Sequence, residues 1–111
     1  WHVPTDAEWT VLSDYLGGSA VAGGKMKSTG TQYWSSPNTD ATNESGFSGL
    51  PGGSRSSGGT FGSIGYNGFW WSSTETSAYY AWRRTLNYFV GSGNRSGYGK
   101  GSGFSVRCLR D

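Results

Sequence analysis

The spacing of apolar positions changes twice along this chain. After Pro4, residues Trp9, Leu12 and Leu16 recur at intervals of three and four, the spacing that gives a helix one apolar face. Thr5-Asp6-Ala7-Glu8 precedes them as a capping box, in which the Thr5 hydroxyl can accept from the Glu8 backbone while the Glu8 side chain reaches back. Gly17-Gly18 supplies the stop. One clear helix is predicted between these signals. Residues 19–68 show little periodicity, and Ser, Thr, Gly and Asn dominate from Ser28 to Gly68. Short apolar anchors interrupt that stretch at Tyr33-Trp34, Phe47, Leu50, Phe61 and Ile64, often beside glycine turns such as Gly46 to Gly53. They predict a long loop pinned to a core by aromatic pegs, against the alternative of a disordered polar segment.

Past Gly68 the pattern becomes that of strands, over 69–73, 79–90 and 103–109. In the middle run Tyr80, Trp82, Arg84, Leu86 and Tyr88 share one face, and Ala81, Arg83, Thr85, Asn87 and Phe89 share the other. In the last run Phe104, Val106 and Cys108 alternate with polar positions and should face the core. The Gly/Ser-rich connection from Gly91 to Gly103 reads as a flexible, exposed loop. Trp70 and Trp71 are adjacent and point oppositely, so one belongs to the core and the other is more exposed, unless the long loop covers both.

Composition sharpens this picture. Hydrophobic residues make up only 33% of the 111 residues while aromatics make up 16%, so six Trp, seven Tyr and five Phe must build a core that scarce aliphatics cannot. Twenty glycines imply turns and long loops. One loop-rich α+β domain over 1–111 fits both. The segment between the predicted strands is rich in Tyr, Trp, Ser, Gly and Asn, the composition of binding loops.

Charged residues are only 14% of the chain and the net charge is +2, with Trp82-Arg83-Arg84 the nearest approach to a basic stripe; nucleic acid is therefore not an expected partner. No run approaches the roughly 20 apolar residues of a membrane span. Any membrane attachment is expected to come from an anchor outside this segment, which starts at Trp1 and is expected to be the C-terminal part of a longer precursor.

Catalytic chemistry has few carriers. The only histidine, His2, lies near the start and the only cysteine, Cys108, lies in a predicted core strand, so no enzyme activity is expected. An enzyme would need a pocket joining His2 or Cys108 to carboxylates. Asp40, Asn43 and Glu44 form an oxygen-rich cluster that could hold calcium, although not at EF-hand spacing; a solvated turn with Asx-type bonds is the alternative. No other cofactor is expected.

Five pieces in order carry a resemblance: Trp1-His2-Val3-Pro4-Thr5-Asp6-Ala7-Glu8-Trp9, Ala22 to Lys27, Gly46-Phe47 through Gly53, Gly68 to Ser73, and Gly103-Phe104-Ser105-Val106-Arg107-Cys108. Over nearly its whole length the chain resembles the Fibrobacter succinogenes major paralogous domain. That resemblance implies a C-type lectin-like fold, with a small twisted antiparallel sheet and long ordered loops. It also implies a likeness to the variable proteins of diversity-generating retroelements, which end similarly. By that analogy the ligand-binding positions are drawn from Ser77, Tyr79, Tyr80, Trp82, Arg84, Asn87, Tyr88, Asn94, Arg95 and Tyr98. Family members usually carry a Cys-Pro pair just upstream of the position of Trp1. Cys108 is therefore either a buried small hydrophobe or the partner of an upstream cysteine.

The expected function is non-catalytic recognition of a protein or glycan at a bacterial cell surface or outside the cell. A structural accessory subunit of an outer-membrane or surface complex is the alternative, and it would show as stable co-purification.

Overall fold

The computed structural model describes residues 1–111. Helix α1, Asp6–Tyr15, starts at the capping box: Glu8 N–H donates to Thr5 Oγ1 and Thr5 N–H to Glu8 Oε1, both at 3.1 Å. Gly17 and Gly18, with φ of 105° and 101°, turn the chain out of it through backbone space that favours glycine.

A second helix, α2, Ser19–Met26, follows at once and corrects the expectation of one clear helix followed by an aperiodic segment. Each glycine inside it costs about 1 kcal/mol of helix propensity, but the packing leaves no room for anything larger. A Cβ on Gly23 would stand 2.0 Å from the Ser92 carbonyl oxygen, and one on Gly24 would stand 2.3 Å from that of Asp40. Gly24 N–H donates to Gly91 O at 2.8 Å, so α2 lies directly on the backbone entering the last sheet strand. Gly23→Ala is expected to destabilise the fold by about 1–3 kcal/mol through overpacking. The urea midpoint would read this, and an unchanged midpoint would show that the helix can move aside.

A two-residue hairpin, β1 (Ser54–Arg55) with β2 (Phe61–Gly62), sits within the long loop. The main sheet is antiparallel in the order β3 (Asn67–Glu75), β4 (Tyr80–Asn87), β5 (Gly93–Gly99), with an irregularity in β3 between Trp71 and Glu75. The region expected as a flexible loop from Gly91 to Gly103 is thus largely an edge strand, paired in unbroken register from Tyr80 with Gly99 to Leu86 with Gly93. Large residues on β4 face glycines on β5: Tyr80 opposes Gly99, Trp82 opposes Gly97 and Leu86 opposes Gly93. The glycines that suggested flexibility make room for their neighbours across the ladder.

The expected last strand is instead a tail held by isolated bridges of Gly103 to Arg55, Ser105 to Trp70 and Leu109 to His2. Phe104 is half-buried and packs on Phe69 and Trp71, with ring centroids 5.2 and 4.5 Å apart. Val106 and Cys108, however, are exposed, which corrects their assignment to the core. The tail lies along the open edge of β3 and no second layer covers it beyond Phe104, so its alternation has nothing to pack against.

The core joins α1 and α2 to one sheet face through Trp9, Leu16, Ala22, Met26, Trp34, Trp70 and Leu86. Of the two neighbouring tryptophans, Trp70 is buried and Trp71 is half-buried under Phe104. Two of the loop's pegs reach the core. Trp34 is buried with its indole N–H on Gly49 O at 3.0 Å, and Phe47 meets Trp70 edge-on at 5.5 Å. Tyr33, Leu50, Phe61 and Ile64 are exposed and peg nothing. Burying about 200 Å² of an indole contributes on the order of 5 kcal/mol before entropy, so a few tryptophans suffice for so small a core.

The tie that orders the loop is electrostatic. Lys27 is fully buried, and its ammonium donates to the carbonyls of Thr39 at 2.7 Å, Asn87 at 3.0 Å and Val90 at 3.1 Å. Burial pushes its pKa below the usual lysine range, with Asp40 acting in the opposite direction. No helix is long and apolar enough to cross a membrane.

Candidate binding site

The strand register divides the ten sequence-predicted positions into three places. Arg84 lies opposite both Trp70 and Arg95, on the sheet face that meets α1. Arg84, Asn94 and Arg95 line a polar cleft of about 560 Å³ together with Asp6, Thr10 and Asp14. Asp6, in the first turn of α1, holds this cleft together. Arg84 Nη2 donates to Asp6 Oδ1 at 2.8 Å, to Asp6 O at 3.0 Å and to Thr10 Oγ1 at 2.8 Å. Arg95 Nη2 donates to Asp6 Oδ2 at 2.7 Å, and its guanidinium lies 3.6 Å over the Trp82 ring. Burial pushes the Asp6 carboxyl up, but the Arg95 and Arg84 guanidiniums outweigh it and hold the group below the usual carboxylate range. Arg84, only 10% exposed in its side chain, is bound to α1 through Asp6 and Thr10 at the wall of the cleft. Trp82 is half-buried with one face covered by Arg95.

The second place is the end of the β4–β5 hairpin. Tyr80 and Tyr98 line a groove of about 470 Å³ with Gly97, Gly99, Ser57 and Ser102. Tyr79, Tyr80 and Tyr98 are 80%, 53% and 45% exposed. The β3–β4 turn is fixed from inside, because Ser77 Oγ accepts from the backbone N–H of both Tyr79 and Tyr80 at 3.2 Å. Lys100 closes it from the other side, pairing with Glu75 and donating to Ala78 O at 3.0 Å. Beneath Tyr98 the Arg83 guanidinium lies 4.0 Å from that ring, 4.6 Å from Phe69 and 5.1 Å from Phe104, with its Nε on Ser96 Oγ at 3.2 Å. The tyrosines therefore stand on a stiff base.

The third place is the opposite end of β4. There Asn87 Oδ1 accepts from Phe89 N–H at 2.8 Å, and Tyr88 packs edge-on against Tyr66 at 5.1 Å. These two residues do not join the tyrosine groove. The analogy missed Ser56, Ser57 and Ser102 in the groove and Asp6 in the cleft. No local pattern marks them, since the first two come from the β1–β2 hairpin and Asp6 reads as an ordinary first-turn acid.

In the oxygen-rich loop, Asn43 Oδ1 accepts from Ser48 N–H at 2.8 Å and Glu44 Oε1 accepts from Thr42 Oγ1 at 3.3 Å. No group of three or more His, Cys, Asp or Glu side chains stands close enough to hold a metal ion.

Where the two ends of the chain meet, His2 and Leu109 exchange backbone hydrogen bonds of 2.9 and 2.8 Å beside a cavity of about 440 Å³. Cys108 and Glu8 both line it, so a thiol and a carboxylate share a pocket. The Glu8 oxygens are occupied by His2 Nε2, at 3.1 and 2.9 Å, and by Thr5 N–H, while His2 Nδ1 meets Asp111 at 2.8 Å. Glu8 and Asp111 raise the His2 pKa, and His2 with Thr5 lowers that of Glu8.

Residues 1–110 match the family model described as the Fibrobacter succinogenes major domain. No curated protein and no solved structure matches the chain.

Proposed function

We propose that this chain, which belongs to the Fibrobacter succinogenes major domain family, is a non-catalytic recognition module that binds a protein or glycan through the tyrosine groove of its β4–β5 hairpin. The observation that carries this reading is the groove that exposed Tyr80 and Tyr98 line with Gly97 and Gly99, beside a turn that carries exposed Tyr79 and is held in place by Ser77 and Lys100. Tyrosines held this way offer wide contact area at little entropic cost on binding. Serine hydroxyls at the rim suit sugar or peptide hydrogen bonding. A C-type lectin-like fold belongs to the same proposal. Its support is the paired termini, the two helices against a small antiparallel sheet and the long ordered loop. So does a place at the bacterial surface or outside the cell.

Tyr80→Ala is expected to weaken binding at least about tenfold while leaving the urea midpoint unchanged. A glycan array and a surface-protein panel would supply the ligand, and calorimetry would measure the loss. Equal affinity in wild type and variant would refute the assignment of this groove. The accessory-subunit reading draws on a different observation, the exposed and uncharged cluster of Tyr33, Leu50 and Ile64 on the long loop.

A further inference from the structure

We infer that the tyrosine groove takes an extended peptide, which adds a strand to the free edge of β5. The inference rests on the reading of that groove as a binding site and names its occupant.

The direction of the peptide groups follows from the end of the ladder. Lys100 N–H donates to Tyr79 O and Thr76 N–H to Tyr80 O, both at 2.9 Å, so Tyr79 turns its carbonyl toward β5 and Tyr80 turns its own toward the β3–β4 turn. Orientation alternates along an antiparallel strand, so Ala81, Arg83 and Thr85 face β5, where the register sets Tyr98, Ser96 and Asn94 opposite them. Arg95, Gly97 and Gly99 therefore point their N–H and C=O groups outward. Gly99 O accepts from Ser102 N–H at 3.1 Å, but no backbone hydrogen bond outside the ladder takes up either group of Arg95 or Gly97. Both residues are exposed.

The other edge of the sheet is treated differently. Along β3, Trp71 N–H donates to Ser105 O at 3.1 Å, Ser105 N–H to Phe69 O at 3.0 Å and Gly53 N–H to Asn67 O at 2.8 Å. The chain covers that edge itself, and β5 carries the bare one.

The groove follows the bare edge. The register puts Tyr80, Gly97 and Gly99 on one sheet face and Tyr98 on the other, yet all of them line the same groove of about 470 Å³, which places it around the margin of the strand. A row of donors and acceptors at strand spacing is the complement of another strand, and Gly97 and Gly99 let its backbone approach closely. No charged residue lines the groove. Tyr80, Tyr98, Ser57 and Ser102 suit an uncharged segment of aromatic, β-branched and hydroxyl-bearing residues.

The probe is acetyl-Ser-Thr-Tyr-Thr-Val-Thr-Ser-amide, and the readout is amide–water exchange along β5 of the 111-residue chain. In the free protein Ser96 and Tyr98 should exchange slowly, and Arg95, Gly97 and Gly99 rapidly. A short row of backbone hydrogen bonds supports a dissociation constant of about 1 mM, so about 10 mM peptide should slow the outward amides about tenfold. The same peptide N-methylated at two adjacent central residues keeps its side chains but loses a donor on each edge. It should give no protection.

No protection by the unmodified peptide, equal protection by both, or a Gly97 amide already slow in the free protein would each overturn the inference. Protection that grows with protein concentration alone would assign the edge to a second copy and overturn it too. The outcomes for the groove are separate. If a glycan from the array binds and Tyr80→Ala weakens it while the peptide protects nothing, the groove stands and this inference falls. If the peptide protects Gly97 and Gly99 equally in wild type and Tyr80→Ala, the strand pairing stands and the assignment of the groove falls.

Discussion

Lys27→Met is expected to destabilise the fold by about 3–5 kcal/mol, a large share of what a domain of this size has in reserve. Methionine keeps the length and apolar stem of the side chain but has no proton to donate. The carbonyls of Thr39, Asn87 and Val90 would lose their common donor inside the protein. Each stranded carbonyl costs about 1–3 kcal/mol, and the variant recovers only part of the sum because no ammonium then has to be desolvated. The damage should be non-local, since those three carbonyls belong to the long loop, the last residue of β4 and the turn that follows it. Urea unfolding at neutral pH measures it, and a loss below about 1 kcal/mol would mean that water replaces the ammonium.

The pH dependence has a definite sign. Burial places the folded-state pKa of Lys27 below the ordinary lysine value of 10.5, so the unfolded chain holds the proton more firmly. Between the lowered value and 10.5 the contribution of this group to stability therefore rises with pH. The wild type should gain on Lys27→Met across that window.

Asp6→Ala is the second large effect, expected at about 3 kcal/mol. Arg95 is 45% exposed in its side chain and can turn to water when the carboxylate goes. Arg84 cannot, because it is nine-tenths buried against α1, and it would be left as an uncompensated charge with only Thr10 and a backbone carbonyl for partners. The double variant Asp6→Ala with Arg84→Met should recover part of the loss, since removing both charges is less costly than stranding one. The acid limb provides a second check. The folded-state pKa of Asp6 is below the ordinary aspartate value of 3.8, so its contribution is complete well above pH 4 and disappears as pH falls through 3.8 toward the folded value. Wild type and Asp6→Ala should thus converge in stability on acidification; parallel curves would show that the ion pairs contribute nothing.

What the sequence revealed depended on whether a residue's partner was local. Helix α1 could be read because Thr5, Glu8, Trp9, Leu12 and Leu16 all act within three turns. β3 and most of β4 could be read because Phe69, Trp70 and Leu86 carry their own preference for a pleated, buried surface. Helix α2 was hidden because Gly23 and Gly24 look like turn residues until Ser92 and Asp40, brought in from far along the chain, explain why nothing larger fits. β5 was hidden for a related reason: its glycines answer Tyr80, Trp82 and Leu86 across the ladder. The tail misled in the opposite direction, since Phe104, Val106 and Cys108 alternate like a strand but only Phe104 finds a layer to pack on.

The candidate site followed the same division. Tyr79, Tyr80 and Tyr98 were recognisable by type as candidates, and all three are exposed. Arg84 was not recognisable as structural, because its partner Asp6 lies 78 positions away.

β5 also bears on how readily the chain could pair with copies of itself while it folds. As the outer strand of its sheet it leaves one row of peptide groups unpaired, and a row of this kind can template another chain. A slipped pairing would cost this edge its fit, because Gly93, Gly97 and Gly99 would no longer stand opposite Leu86, Trp82 and Tyr80. Docking holds it further: Arg95 is tied to Asp6, Lys100 just past the strand is tied to Glu75, and the backbone just before the strand is pinned to α2 through Gly91 and Gly24. The contact between α2 and Gly91 therefore fixes where this glycine-rich edge begins, and an edge fixed in register is a poorer template for a second copy.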